Sequence, residues 1–118
     1  MTAQVEEQVF DNAVSLRGRV AAAPEERDLP SGDRLITFRI VVPREPRSRR
    51  GRPGPSVDTF DCCAWSKASQ RKVLTWQAGD VVQVHGRLRR RFFSTGAGKG
   101  SRVEVEMSQG KIIRRASA

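Results

Sequence analysis

The 118-residue chain contains no tyrosine, one histidine, two cysteines and only four lysines. It has no apolar run near the roughly 20 residues that a bilayer-spanning helix needs, and its polar, acidic first residues lack the pattern of a secretory signal. No carboxylate pair, nucleophile–base set or phosphate-cradling glycine motif is recognisable. We therefore expect a small, cytoplasmic, non-enzymatic protein that needs no cofactor and does not enter a membrane.

The two cysteines, Cys62 and Cys63, are adjacent in the sequence. Neighbouring residues of a strand point to opposite faces, so these thiols are not expected to bond to each other. Together with the single histidine, His85, they make a poor set of metal ligands, and no metal site is predicted.

Positive charge dominates the composition. Lysine and arginine total 22 against 13 aspartate and glutamate, for a net charge of +9. Such an excess attracts polyanions over long distances, without distinguishing nucleic acid, anionic membrane and acidic protein. Because most of these cations are arginines, forked contacts to phosphates and stacking on rings are favoured.

The alternation of apolar and polar residues predicts five strands. One helix, with Ser66 as its N-cap, is predicted between the third and fourth strands. This order is typical of an OB-fold, a mostly β, five-stranded Greek-key barrel, and we predict one such domain over residues 1–118 with its core at about 8–113. The predicted strands run from Phe10 to Val20, Arg34 to Val42, Val57 to Trp65, Val81 to Phe93 and about Arg102 to Ile113, and the predicted helix runs from Ser66 to Gln77.

The remaining segments are predicted to be irregular. PEERDLPSGD is interpreted as a turn, STGAGKGS as a flexible hairpin tip, and residues 43–56, rich in arginine and proline, as a flexible loop. The alternation places Phe10, Leu88 and Phe92 in the interior, and the helical spacing gives Leu74 and Trp76 to the apolar edge of the helix.

The outward side of the fourth strand carries Arg87, Arg89, Arg91 and Phe93. Burying these arginines unpaired would cost several kcal/mol each, so the strand face must be solvated or paired. Trp65 also lies opposite the core side of its strand. Rings among arginines can hold single-stranded nucleic acid, because bases stack on the rings and cations follow the backbone.

The same rings and arginines also fit plainer roles. The rings can belong to a small core under the loop, and the arginines can pair with Glu104 and Glu106 across the hairpin. The surface can equally serve single-stranded RNA or an acidic protein partner, and the sequence pattern does not choose among these ligands.

The chain resembles the bacterial single-stranded DNA-binding proteins. The resemblance rests on NAVSLRGRV, PSGDRLITFRIVV, DTFDCCAWSK, AGDVVQVHGRLRRRFF and SRVEVEM, in the family's order and spacing. It implies an OB-fold that assembles as a homo-oligomer, a tetramer or a dimer, and binds single-stranded DNA with little sequence preference during replication, recombination or repair. It also implies a location at the nucleoid. Trp65 and Phe93 match base-stacking positions, and the implied backbone contacts are Arg17, Arg39, Arg44, Arg47, Arg49, Arg50, Arg52, Arg87, Arg89 and Arg91.

The chain departs from that pattern at three places. Thr59 and the 43–56 loop offer no ring where relatives often have one, so we expect binding to depend more on phosphate charge than on stacking. Phe60 stands where a histidine near a subunit contact is common. The sequence ends at KIIRRASA without an acidic tail, so we expect a short form that does not recruit repair enzymes through such a tail.

Overall fold

The computed structural model describes residues 9–45 and 56–117. The strands pair in the order β1-β5-β6-β4-β3-β2, and β1 also pairs with β3, so the sheet closes on itself. No helix in the described ranges is long and apolar enough to cross a membrane. The elements are β1 Val14–Val20, β2 Glu25–Asp28, β3 Arg34–Pro43, β4 Val57–Ala64, α1 Lys67–Val73, β5 Val81–Thr95 and β6 Gly98–Arg114.

The predicted OB-fold is confirmed, with all five predicted strands present and the helix between β4 and β5. The additional strand is β2, which lies inside the predicted turn and pairs antiparallel with the start of β3. All four of its residues are exposed. Since a strand with no buried side shows no apolar alternation, the sequence pattern could not reveal it.

The core lies inside the closed sheet and is covered at one end by α1. Trp76 is buried, as predicted, and its ring meets that of Phe38 edge-on at 5.5 Å. Edge-to-face contacts of this kind stabilise aromatic pairs beyond their buried area. The buried cluster consists of Val20, Ile36, Phe38, Ile40, Cys62, Ala64, Val73, Trp76, Val82, Val84, Val105 and Met107.

Four residues predicted to be apolar interior or helix-edge positions are instead exposed: Phe10 by 74%, Leu74 by 48%, Leu88 by 46% and Phe92 by 76%. Phe10 precedes β1, and Leu74 follows a helix that ends four residues before the predicted boundary. For Phe92, the reason is that β5 and β6 continue beyond the closed sheet as a two-stranded arm, so its side of the arm has no interior to face. Leu88 lies opposite the buried Val105, but it comes after Gly86, the last residue of β5 that pairs with β1, so its other flank is open.

The tip of this arm is also more regular than predicted. Pairing of β5 with β6 continues as far as Thr95 and Gly98, so only a two-residue turn separates the strands. The Thr95 hydroxyl donates to the Gly98 carbonyl at 3.1 Å and accepts from the Ala97 N–H at 3.2 Å. The hairpin turn lies within the predicted tip, but the strands pair further into it than predicted, because a polar, glycine-rich composition does not prevent backbone pairing.

β5 and β6 approach very closely at Gly86. A register irregularity at His85 and Gly86 leaves Ser108 of β6 without an opposite residue, as in a β-bulge. A Cβ atom at Gly86 would overlap the backbone carbonyl oxygen of Glu106. Glycine is therefore required for this close approach at the place where the arm leaves the closed sheet.

A buried carboxylate joins the end of β6 to the start of β5. Asp80 is fully buried and accepts hydrogen bonds from the backbone N–H of Ala116 at 2.8 Å, the N–H of Gln77 at 2.9 Å and the Arg115 guanidinium at 3.0 Å. These bonds, led by the one from Ala116, lower the pKa of Asp80 and outweigh the opposing effect of its burial.

Candidate nucleic-acid interface

Outward side chains of β3, β4, β6 and β5 form one continuous surface, called here the front face. Arg39 of β3 lies opposite Asp61 of β4, and Glu106 of β6 lies opposite both Cys63 of β4 and Arg87 of β5. Because directly opposite residues point to the same side of a sheet, these rows share one face. The front face consists of Arg39, Asp61, Cys63, Trp65, Arg87, Arg89, Arg91, Phe93, Arg102, Glu104 and Glu106.

Trp65 lies just after β4 and beside the arm. The guanidinium carbon of Arg91 stands over its ring, 5.3 Å from the ring centre, a cation–π contact. The ring borders an open groove lined by Trp65, Arg89, Arg90, Arg91, Phe92 and Glu106. Trp65 is partly exposed in this position.

Phe93 lies on the same side of β5 as Arg91, two residues or about 7 Å further along the strand. It is 44% exposed, and its ring lies against Gly100, where an added Cβ would stand 2.8 Å from two ring carbons. The structure thus brings Trp65 and Phe93 to one side of the sheet, among arginines. Their contact with a ligand stays a prediction.

Every arginine of the front face has a carboxylate partner. Glu104 is almost completely buried and lies 3.1 Å from both Arg91 and Arg102, so that one carboxylate holds two guanidinium groups. The cross-strand pairing that the sequence left open is therefore present. The other pairs are Arg39–Asp61 at 2.9 Å, Arg87–Glu106 at 3.3 Å and Arg89–Glu106 at 3.6 Å.

Cys63 is buried beneath these charged side chains. Burial, together with the charge of Glu104 and a hydrogen bond to it, raises the pKa of Cys63 to about 11. Burial also raises the pKa of Cys62, on the core side. Both thiols are free, as predicted from their adjacent positions, and both are protonated at neutral pH.

Arg44 closes the base of the loop that follows β3. Its backbone N–H donates to the Ser56 carbonyl at 2.8 Å, and its guanidinium lies 2.8 Å from Asp58. The hydrogen bond to Asp58, followed by the charge of that carboxylate, raises the pKa of Arg44. The other predicted contacts of this loop, Arg47, Arg49, Arg50 and Arg52, lie outside the described residues, as does most of the loop predicted to be flexible.

Arg17 is the one described candidate that lies apart from the front face and its adjoining loop. It stands on the outer side of β1, and its Nε donates to the side-chain oxygen of Gln83 at 2.9 Å. Sequence parity groups Arg17 with Arg39 as outward residues, but parity does not tell on which part of a closed sheet an outward residue lies.

Sequence reasoning also missed a third ring at the groove. Phe92 has the parity of the core side, yet it is highly exposed and borders the groove beside Trp65. A usable signal was its cross-strand partner, the polar Ser101, which an interior position would disfavour.

The closed sheet, its single helix between β4 and β5, and the arginines beside exposed rings together define an OB-fold protein with a basic, aromatic face. The model of the family described as "Single-strand binding protein family" matches residues 11–113. The chain belongs to that family.

Individual relatives agree with this assignment. The single-stranded DNA-binding protein of Thermotoga maritima is 32% identical over 98 residues, covering 83% of this chain and 69% of the relative. That of Mycolicibacterium smegmatis is 32% identical over 113 residues, covering 92% of this chain and 68% of the relative. A solved structure, "Plasmodium falciparum SSB complex with ssDNA", superposes with a TM-score of 0.71 at 22% identity over 89% of this chain and 95% of that one, which supports the fold.

Proposed function

We propose that this chain binds single-stranded DNA with little sequence preference, and so protects unpaired strands in replication, recombination or repair. Membership of the family and the names of the relatives support the class of ligand. The observation that supports a DNA-binding site on the front face is the contact of the Arg91 guanidinium with the Trp65 ring, with Phe93 on the same side of the sheet. We propose a binding role without catalysis, in the cytoplasm at the nucleoid.

Bases would stack on Trp65 and Phe93, each stacked base contributing about 1–3 kcal/mol. A duplex hides the faces of its bases, so this surface favours unpaired strands. Arg91 covers the side of the Trp65 ring that it contacts, so a base stacks on the other side or displaces the guanidinium.

Phosphates would meet arginines that already hold carboxylates. Both members of the Arg39–Asp61 pair are exposed, and exposed ion pairs typically contribute only about 0–1 kcal/mol, so a phosphate can share or replace that carboxylate at little cost. Glu104 is buried, so a phosphate that took both of its arginines would leave an unpaired buried charge at a larger cost. The carboxylates keep the guanidinium groups in place before DNA arrives, but they also reduce the net charge that the strand meets.

The decisive experiment combines Trp65→Ala with Phe93→Ala and measures affinity for an oligo-dT by fluorescence anisotropy. Loss of two stacked bases should raise the Kd at least about 30-fold. A matched control combines Phe10→Ala with Leu74→Ala, two exposed apolar residues outside the front face, and should bind like the parent. Unchanged affinity in a folded Trp65/Phe93 variant would show that the rings are only structural. Competition between matched DNA and RNA oligomers tests the preference for DNA.

We further propose that residues 1–118 form one domain, with its core at about 8–113, and that the chain assembles as a homo-oligomer. Light scattering of the protein, alone and with an oligo-dT, measures the oligomeric state. A monomer in both conditions would contradict this part of the proposal.

A further inference from the structure

The arm formed by β5 and β6 has a second side, opposite to the front face. Directly opposite residues share a side of a sheet, and so do alternate residues of one strand. Phe92 therefore shares its side of the arm with the rows on either side of it. The three rows are Arg90–Val103, Phe92–Ser101 and Ser94–Lys99, and we call these six residues the back of the arm.

The ring at the centre of this surface is almost free of contacts with the protein. Phe92 is 76% exposed, more than any other aromatic side chain that the structure describes. A ring that buries so little apolar area contributes little to the stability of the fold. Its flat faces are accessible to a ligand, and Val103 in the neighbouring row, 43% exposed, adds a small apolar area beside it.

The back of the arm is positively charged without compensation. None of its six residues is acidic, and its two cations, Arg90 and Lys99, lie in the rows before and after Phe92. Alternate rows of a sheet are about 7 Å apart, so the ring has a cation on each side. Among the described residues, neither cation forms an ion pair, whereas the arginines on the front of the same two strands are held by Glu104 and Glu106.

Arg90 is oriented by a neutral group. One of its terminal nitrogens donates to the Ser101 hydroxyl at 3.1 Å, and Ser101 is the cross-strand partner of Phe92. The guanidinium is thereby drawn toward the row that holds the ring. A hydroxyl does not cancel the charge of the guanidinium, and the remaining N–H groups of Arg90 stay available for a phosphate.

The groove beside Trp65 connects the two sides of the arm. Its lining combines two front-face arginines, Arg89 and Arg91, with Arg90 and Phe92 of the back. Within the described residues, β5 pairs in the arm with β6 alone, so no strand covers its other edge. A single strand that stacks on Trp65 can therefore pass round this edge and reach Phe92 without leaving the protein surface.

We infer that the back of the arm is a further contact surface for single-stranded DNA, on which a base stacks on Phe92 while Arg90 and Lys99 bind phosphates on either side. The inference rests on the proposed function, and it means that a bound strand wraps around the edge of the arm. A protein partner fits this surface less well. A stable protein interface buries about 800 Å² on each partner, whereas the apolar part of this surface is limited to Phe92 and Val103.

The first test removes the ring. Phe92→Ala should raise the Kd for a long oligo-dT at least about 5-fold, the effect of one lost stacked base, as measured by fluorescence anisotropy. Leu74→Ala is the matched control, since it truncates an exposed apolar residue beside α1 and should bind like the parent. Unchanged affinity in Phe92→Ala, with oligo-dT still bound by the parent, would overturn the inference and leave the proposed function intact.

The second test removes the charge. Arg90→Gln with Lys99→Gln should lower the slope of log affinity against log salt by about 1.4, or about 0.7 for each lost phosphate contact. Arg71→Gln with Lys72→Gln is the control, because it removes the same charge from the last turn of α1 and should keep the slope of the parent. The inference requires a lower slope in the arm variant alone, and equal slopes in the arm variant and the parent would overturn it.

A third measurement reports contact with the ring position directly. Phe92→Trp places an indole at the back of the arm, and stacking of a base quenches indole fluorescence. Saturating oligo-dT should quench more fluorescence in Phe92→Trp than in the parent, whereas Leu74→Trp should show no additional quenching. A bound oligomer that leaves the added indole unquenched would overturn the inference alone, and a parent that binds no oligo-dT at low salt would overturn the proposed function with it.

Light scattering of the free protein distinguishes a contact between copies of the chain from a contact with DNA. Phe92→Ala should leave the mass of the free protein unchanged. A lower mass together with unchanged affinity for oligo-dT would assign the ring to a protein contact and overturn the inference.

Discussion

The guanidinium of Arg91 lies 5.3 Å from the centre of the Trp65 ring, so a cation already stands where a base would otherwise stack. The same side chain is held by the buried carboxylate of Glu104 at 3.1 Å. A base that stacked on this side of the ring would have to displace the guanidinium from both contacts.

Arg91→Gln should make binding of oligo-dT less salt-dependent, lowering the slope of log affinity against log salt by about 0.7 through the loss of one phosphate contact. Glu104 keeps its second partner, Arg102, so the fold should persist. Anisotropy titrations at several salt concentrations measure the slope. Arg91→Lys is the matched control, since it keeps the charge and should retain the slope. An unaltered slope in Arg91→Gln would mean that Arg91 stays with Glu104 in the complex.

Asp61→Asn should tighten binding. The change removes a negative charge beside the strand and frees Arg39, which lies 2.9 Å from Asp61. We expect the Kd to fall about 3- to 5-fold near 0.1 M salt, the effect of roughly one additional phosphate contact. Asp33→Asn, at an exposed turn beside Ser31, removes the same charge outside the front face and should have a smaller effect. Weaker binding by Asp61→Asn would show that its carboxylate is needed to orient Arg39.

Asp80 should make stability depend on pH in the acid range. Its pKa is lowered in the folded state from an ordinary value of 3.8, chiefly by the N–H of Ala116, so the folded state favours the ionised carboxylate. The resulting stabilisation is present above the unfolded-state pKa and is lost as the pH falls through the folded-state pKa. Asp80→Asn should therefore be less stable than the parent at pH 7, and the difference should shrink as the pH falls below 3.8. Urea unfolding of the parent and the variant, at pH 7 and at a pH below 3.8, measures this difference in stability. A difference independent of pH would show that ionisation of Asp80 does not stabilise the fold.

Gly86→Ala should destabilise the fold by about 1–3 kcal/mol or more, because the added methyl group would overlap the Glu106 carbonyl and neither backbone can move without losing β5–β6 pairing. Gly96→Ala is the matched control, since no atom lies within 4 Å of its added Cβ. Thermal and urea unfolding compare the two variants. Equal stability of the two would show that the strands separate here at no cost.

The strands and the helix position could be predicted because most elements have one buried side, which alternation or helical spacing records. β2 could not be predicted in this way, since its residues Glu25 to Asp28 are all exposed. Phe92 was misplaced for a related reason: parity tells which side of a strand a residue takes, but not whether the core extends that far. The length of the arm depends on pairing between β5 and β6, which the sequence of either strand alone does not specify.

The candidate site was only partly predictable. Trp65 and Phe93 were found because a ring on a polar strand face stands out against its neighbours. The division of the cations into those with and those without a carboxylate partner could not be predicted, because such partners depend on cross-strand register. That register sets Glu104 and Glu106 beside the front-face arginines and a neutral amide, Gln83, beside Arg17.

The two ways of holding an arginine have a kinetic consequence. A guanidinium paired with a carboxylate contributes little to the electric field far from the protein, whereas Arg17, held by Gln83, contributes its full charge. Diffusing polyanions respond to that distant field before any contact forms, so the cations without a carboxylate partner would set how fast a strand arrives. The rings act only at contact, so the proposed stacking on them would set how slowly it leaves. Encounter rate and residence time would then depend on different residues of one small sheet.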